Sequence, residues 1–174
     1  MPAMTQSQAE AIYEINEARH SVNLTRDLSI SAEQAFAFWT EPRHVEQWWD
    51  ASGAKLIKCE IDLRVGGTLH FVSPRPEAPP FVGRYLQIDP PNRLVFEALG
   101  ATGTVSIVRT GTGSRVDVEI RAPNAEALKA MLAVGVAVGT AQTLDNLRAY
   151  AKMESNVEVS GSLRSAVISQ GEKR

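Results

Sequence analysis

The residues able to do chemistry are few and scattered. His20, His44 and His70 are the only histidines, and they fall on an N-terminal arm, a short helix and a strand. A catalytic site needs a nucleophile beside a base, a carboxylate pair or a metal cluster. No HxH, HExxH or CxxC spacing occurs, so no metal is expected, and no GxSxG elbow is present. RVGGTLH and TGTGS are glycine turns between strands. Neither leads into a helix, so neither is a phosphate-binding loop. Asp62 and Arg64 are spaced to form a local ion pair bracing a turn. The single cysteine, Cys59, shares strand phase with Ile57 and Ile61, which predicts a buried, inert thiol. His70, between Leu69 and Phe71, is expected on the opposite face to them. Arg26 shares phase with Leu24, Leu28 and Ile30, so its guanidinium is directed to the apolar face. There it needs an acidic partner, a water-reaching end or an anionic ligand.

The adjacent tryptophans of EPRHVEQWWDASG are the stronger signal, because the chain has only three tryptophans. Neighbours on a helix point about 100° apart, so Trp48 and Trp49 cannot face the same way. The expectation is that one lines a pocket and the other packs away from it. Core packing alone is the competing reading.

The elements that must position these residues can be read from periodicity. Period-two alternation from Ser21 to Ile30 predicts a strand. SAEQAFAFWT opens with a capping box, Ser31 and Gln34, and Pro42 suits the first turn of a second short helix. Some six antiparallel strands follow from residue 54, and SPRPEAPP interrupts them as a proline-rich loop. In RVDVEIRA, Val116, Val118 and Ile120 are read as inward, with Asp117, Glu119 and Arg121 outward. Asn124 caps a helix expected to run unbroken to about Met153, on the order of 40 Å long. Its middle, MLAVGVAVGTA, is apolar all round and so is expected to be buried. Residues 5–20 suggest a weak helix or docking arm, and the polar, serine-rich tail from Glu154 a mobile or partner-dependent segment. The organisation is therefore an arm over 1–20, one domain over 21–153 and a tail over 154–174, of α+β class.

Composition limits the partners. The chain has 174 residues, a formal net charge of -2 and a sequence pI near 5.9, which is no footprint for nucleic acid. No secretory leader is read at the N-terminus, and no window is apolar enough to span a membrane. A cytoplasmic protein without membrane insertion is expected.

Four stretches, AFAFWTEPRHVEQWW, CEIDLRVGG, FVGRYLQIDPPNRLVFE and GTAQTLDNL, in this order and spacing, resemble the activator of heat-shock protein 90 ATPase homologue family. That family belongs to the START-like (SRPBCC) helix-grip superfamily, and the resemblance covers roughly Leu24 to Tyr150. It implies a curved antiparallel sheet around a long C-terminal helix, two short helices after the first strand, and a cavity between sheet and helix. Relatives use that cavity for lipids, steroids, polyketides and aromatic compounds, and the double-tryptophan helix lies at its end. Many carry a tryptophan where this chain has Thr140.

The candidate ligand-binding set is Trp39, Trp48, Trp49, Phe71, Phe81, Tyr85, Phe96, Met131, Gly135, Gly139 and Thr140, with Gln142 as a further polar group. The small residues Gly135, Gly139 and Thr140, where a filled core would want bulk, point to close packing or to space for a ligand. The reading taken is a small-molecule binding protein for a hydrophobic or aromatic ligand, with no cofactor and no catalytic residue. Two alternatives are an enzyme of the cyclase, hydratase or hydrolase kind and a protein-interaction role. The family's chaperone activator has a separate N-terminal domain, whereas only some twenty residues precede the first strand here. A homodimer through the arm, the convex sheet face or the tail is also open.

Overall fold

The computed structural model describes residues 13–171, with side-chain surroundings for residues 13–157. Residues 1–12 of the expected arm and most side chains of the expected tail lie outside the described residues.

Eight antiparallel strands form one sheet in the order β1-β2-β8-β7-β6-β5-β4-β3. The strands are β1 (Glu14–Asn16), β2 (Ser21–Leu28), β3 (Lys58–Ile61), β4 (Thr68–Val72), β5 (Phe81–Asp89), β6 (Arg93–Ala98), β7 (Ala101–Thr110) and β8 (Gly113–Arg121). Between β2 and β3 lie the short helices α1 (Ala32–Thr40) and α2 (Pro42–Trp48). After β8 come α3 (Ala125–Ala133) and α4 (Val136–Gly171). This is the mixed α+β helix-grip architecture.

Local signals become local structure where they are strong. Ser31 and Gln34 close a reciprocal capping box on α1, Pro42 opens α2, and Asn124 accepts the Ala127 N–H at 2.8 Å to start α3. Val22, Leu24, Arg26 and Leu28 all point inward from β2, as their phase requires. Arg26 is 6% exposed and donates through Nε to Asp145 on α4 at 2.9 Å and through Nη1 to the Thr25 carbonyl at 2.9 Å. An acidic partner, rather than a ligand, answers its charge.

Glu14–Asn16, in the stretch read as a weak helix or docking arm, is an edge strand paired with β2, from Glu14↔Asn23 to Asn16↔Ser21. Two expectations are corrected. The C-terminal helix continues to Gly171, well past Met153, because no proline follows Pro123 to stop it. And the long helix is broken: α3 and α4 meet at a bend of 64°. Gly135 makes the break. It has φ +83°, and its N–H bonds back to the Leu132 carbonyl at 3.1 Å, the left-handed turn that ends many helices. The Gly135 carbonyl then accepts the Gly139 N–H at 2.9 Å and starts α4. At the bend the apolar residues lift off the sheet: Val134 is 80% and Val138 54% exposed. The stretch expected to be buried is thus largely open. No single helix among the described residues is long and apolar enough to cross a membrane.

The two glycines of this stretch should respond oppositely to alanine. Gly135→Ala places a Cβ on a left-handed residue and should destabilise by about 1 kcal/mol. Gly139 is helical with open space around an added Cβ, so Gly139→Ala should stabilise by about 0.5–1 kcal/mol. Urea midpoints of the two variants check this; equal shifts of the same sign would refute the bend.

Candidate functional site

The bend and the sheet's inner face enclose a cleft of about 840 Å³. Its aromatic side is built from five elements. Trp39 comes from α1, Trp49 from the end of α2, and Phe71, Phe81 and Phe96 from β4, β5 and β6. The rings form a chain of contacts: Trp49 lies 4.8 Å from Phe71 and 5.0 Å from Phe81, and Phe81 lies 6.3 Å from Phe96. Register explains their shared side, since Phe71 is paired with Phe81 across the ladder. Phe96 sits opposite Gly103, where any Cβ would come within 2.9 Å of its ring. The glycine therefore lets that ring lie flat on the neighbouring strand. Met131 from α3 and Gly139 and Thr140 from α4 supply the facing wall, and Leu99 and Val134, 75% and 80% exposed, stand at the rim.

Trp48 and Tyr85, expected in the lining, are not there. Trp48 is fully buried, donates its indole N–H to the Phe38 carbonyl at 3.1 Å and meets Trp39 edge-on at 4.8 Å. The helical turn that aims Trp49 at the sheet aims Trp48 at α1. Tyr85, 1% exposed, is packed in the core near Cys59, and its hydroxyl has no partner among the described residues. Gly135 shapes the bend without lining the cleft, and Gln142 is exposed.

Helix α4 holds this end in place with one stripe of side chains. Thr143 donates to the Trp49 carbonyl at 3.1 Å and Asn146 to the Asp50 carbonyl at 3.0 Å. One turn further, the Tyr150 hydroxyl and His44 Nδ1 share a hydrogen bond of 2.7 Å. Their spacing of three and four residues puts them on one helix face.

The reactive groups are poorly set for acid–base work. Burial, and then the Arg43 charge, push His44 below its usual range. Burial, with Glu46 adding to it, pushes the Cys59 thiol up to about 12. Burial also raises the Tyr85 hydroxyl. His70 lies on the outer face, 3.9 Å from Glu60, and Arg64 pairs with Asp62 at 2.8 Å. No group of His, Cys, Asp and Glu among the described residues has metal-site geometry.

Sequence reasoning missed the cleft's polar corner. Asp50, just after Trp49, and Arg75, in the proline-rich loop, both line the cleft. Arg75 grips Asp50 through Nε and Nη2, each at 3.2 Å. Ser52 and Ser73 also hydrogen-bond the Asp50 carboxylate. Burial alone would raise the Asp50 carboxyl, but these bonds outweigh it and bring it down to about 2. Both residues sit in non-periodic segments, and the one available signal was an arginine between Pro74 and Pro76.

The model of the activator of Hsp90 ATPase homolog 1-like family matches residues 29–152. Among solved structures, a protein from Nitrosomonas europaea aligns with TM-score 0.73 at 22% identity, covering 81% of this chain and 99% of that one. A Rhodobacter sphaeroides protein aligns with TM-score 0.70 at 22% identity, covering 79% and 94%. An AHSA1-like protein from Aeromonas hydrophila aligns with TM-score 0.64 at 21% identity, covering 77% and 93%. At these identities the likeness concerns the fold alone. No curated protein matches the chain.

Proposed function

Because this chain belongs to the activator of Hsp90 ATPase homolog 1-like family, whose members commonly bind hydrophobic ligands, we propose that it is a small-molecule binding module without chemistry of its own. The ligand is a hydrophobic or aromatic molecule held between the sheet and the C-terminal helices. The observation that carries this reading is the cleft of about 840 Å³ with its continuous aromatic wall. Its size falls within the roughly 300–1,000 Å³ of small-molecule sites. A filled core would have closed over such a volume, since interiors pack nearly without voids. Burial pushes the Cys59 thiol and the Tyr85 hydroxyl far above neutral pH, and His44 is engaged with Tyr150.

The test is a fluorescence titration with N-phenyl-1-naphthylamine, a neutral apolar probe. The protein should bind it saturably at one site. Thr140→Trp, which puts an indole into the cleft, should weaken binding at least tenfold while the melting temperature moves by only a few degrees. Absence of saturable binding would overturn the proposal. So would a Thr140→Trp variant that binds as well as the parent.

A further inference from the structure

The polar atoms of the cleft are arranged in a way that constrains its occupant. Among the described residues that line it, Asp50 and Arg75 alone carry charge, and they neutralise each other through two hydrogen bonds. Asp50 is 4% exposed. The remaining Arg75 nitrogen, Nη1, lies 3.5 Å from Glu77, so one guanidinium faces two carboxylates. The lining hydroxyls on α4 have also spent their protons. Thr140 donates to the Val136 carbonyl at 2.7 Å and Thr143 to the Trp49 carbonyl at 3.1 Å. A carbonyl can only accept, so each hydroxyl keeps only lone pairs for a ligand. The Trp39 indole N–H, which has no hydrogen-bond partner among the described residues, is a neutral donor.

A ligand carboxylate entering this cleft would find no uncommitted cation. To pair with Arg75 it would have to displace Glu77 from Nη1, or displace Asp50 from Nε and Nη2 and leave that carboxylate buried and unpaired, which is strongly unfavourable. A neutral hydroxyl has no such conflict, because it can donate to the threonine oxygens and carries no charge to desolvate. We propose that the cleft selects uncharged amphiphiles, an apolar body bearing a hydroxyl or similar hydrogen-bond donor, and rejects the corresponding carboxylates. Asp50, by occupying Arg75, is the specificity-determining residue. This inference rests on the binding reading above.

Competition against bound N-phenyl-1-naphthylamine by 1-decanol and by decanoate, at about pH 8 where the acid is ionised, tests it. The alcohol should compete at least tenfold more strongly than the acid. Asp50→Asn keeps the side-chain shape and frees Arg75, so it should shift the ratio of the two affinities toward decanoate by tenfold or more. Should that variant fail to fold, Glu77→Gln, which relieves Arg75 of its second carboxylate, should shift the ratio the same way by a smaller factor. Decanoate binding as tightly as decanol in the parent, or a ratio unmoved in the folded variant, overturns the selectivity and leaves the binding module standing. Failure of both compounds and the probe to bind overturns the binding reading and the inference with it.

Discussion

Trp48→Ala should lower stability by about 3–5 kcal/mol, the usual range for removing a fully buried tryptophan, whereas Trp49→Ala should act mainly on binding. The two residues are adjacent in sequence and about 100° apart in direction. Trp48 is wholly enclosed, with its indole N–H bonded to the Phe38 carbonyl. Its loss leaves a cavity between α1 and α2 and an acceptor without its donor. In a chain of this size such a change lowers the melting temperature by roughly 6–20 °C. Trp49 is half-buried, and its ring contacts run to Phe71 and Phe81 in the cleft wall. Its truncation removes a part of that wall, so probe affinity should fall at least tenfold with a smaller thermal shift. Thermal melts and probe titrations on both variants decide the matter. A Trp48 variant that melts with the parent, or a Trp49 variant that binds like it, would show that the assignment is reversed.

The second large effect is expected at acid pH. Asp50 titrates at about 2 in the folded protein against an ordinary 3.8, after burial has been outweighed by its bonds to Ser52, Ser73 and Arg75. A carboxyl depressed by folding contributes stability that is present above its unfolded value and is lost as the pH falls through the folded one. The window is therefore from about pH 4 down to about pH 2, and the contribution is on the order of 2 kcal/mol. Asp50→Asn should lose this amount at neutral pH and should show a flatter stability profile across that window. Urea denaturation of parent and variant at pH 7, 4 and 2.5 measures the difference. Two parallel profiles would mean that Asp50 is not held in its ionised state by folding.

These two residues also mark how far the sequence was legible. The inward phase of Val22, Leu24, Arg26 and Leu28 could be read because a strand repeats every two residues and one face is buried. The alternation of β8 was legible for the same reason. The aromatic residues of β4, β5 and β6 were recognisable as a set, and that Trp48 and Trp49 diverge followed from helix geometry. Which of them faces the cleft did not, because that depends on how α2 docks on α4 through Thr143, Asn146 and Tyr150. The bend at Gly135 was hidden because a glycine inside an apolar helical pattern reads as a local weakness. Only its positive φ turns it into a stop. Tyr85 carries the composition of a pocket residue but lies in the core, and no periodicity distinguishes those two surroundings. Asp50 and Arg75 meet from two loops 25 residues apart, and loop contacts leave no repeating trace.

The strand order also sets a timetable for synthesis. Strands β4 to β8 pair with their immediate predecessors, so each hairpin closes soon after it leaves the ribosome. β2 is different. Beyond the three-residue β1 on one edge, its partner is β8, and Ser21 is matched with Arg121 across 100 residues. At some 5–20 residues per second, β2 waits on the order of 5–20 s with one long edge unpaired. During that interval Val22, Leu24 and Leu28, all buried in the finished protein, remain open to other chains. The early strand is therefore the segment through which a nascent chain would aggregate, and the one a chaperone would have most reason to hold.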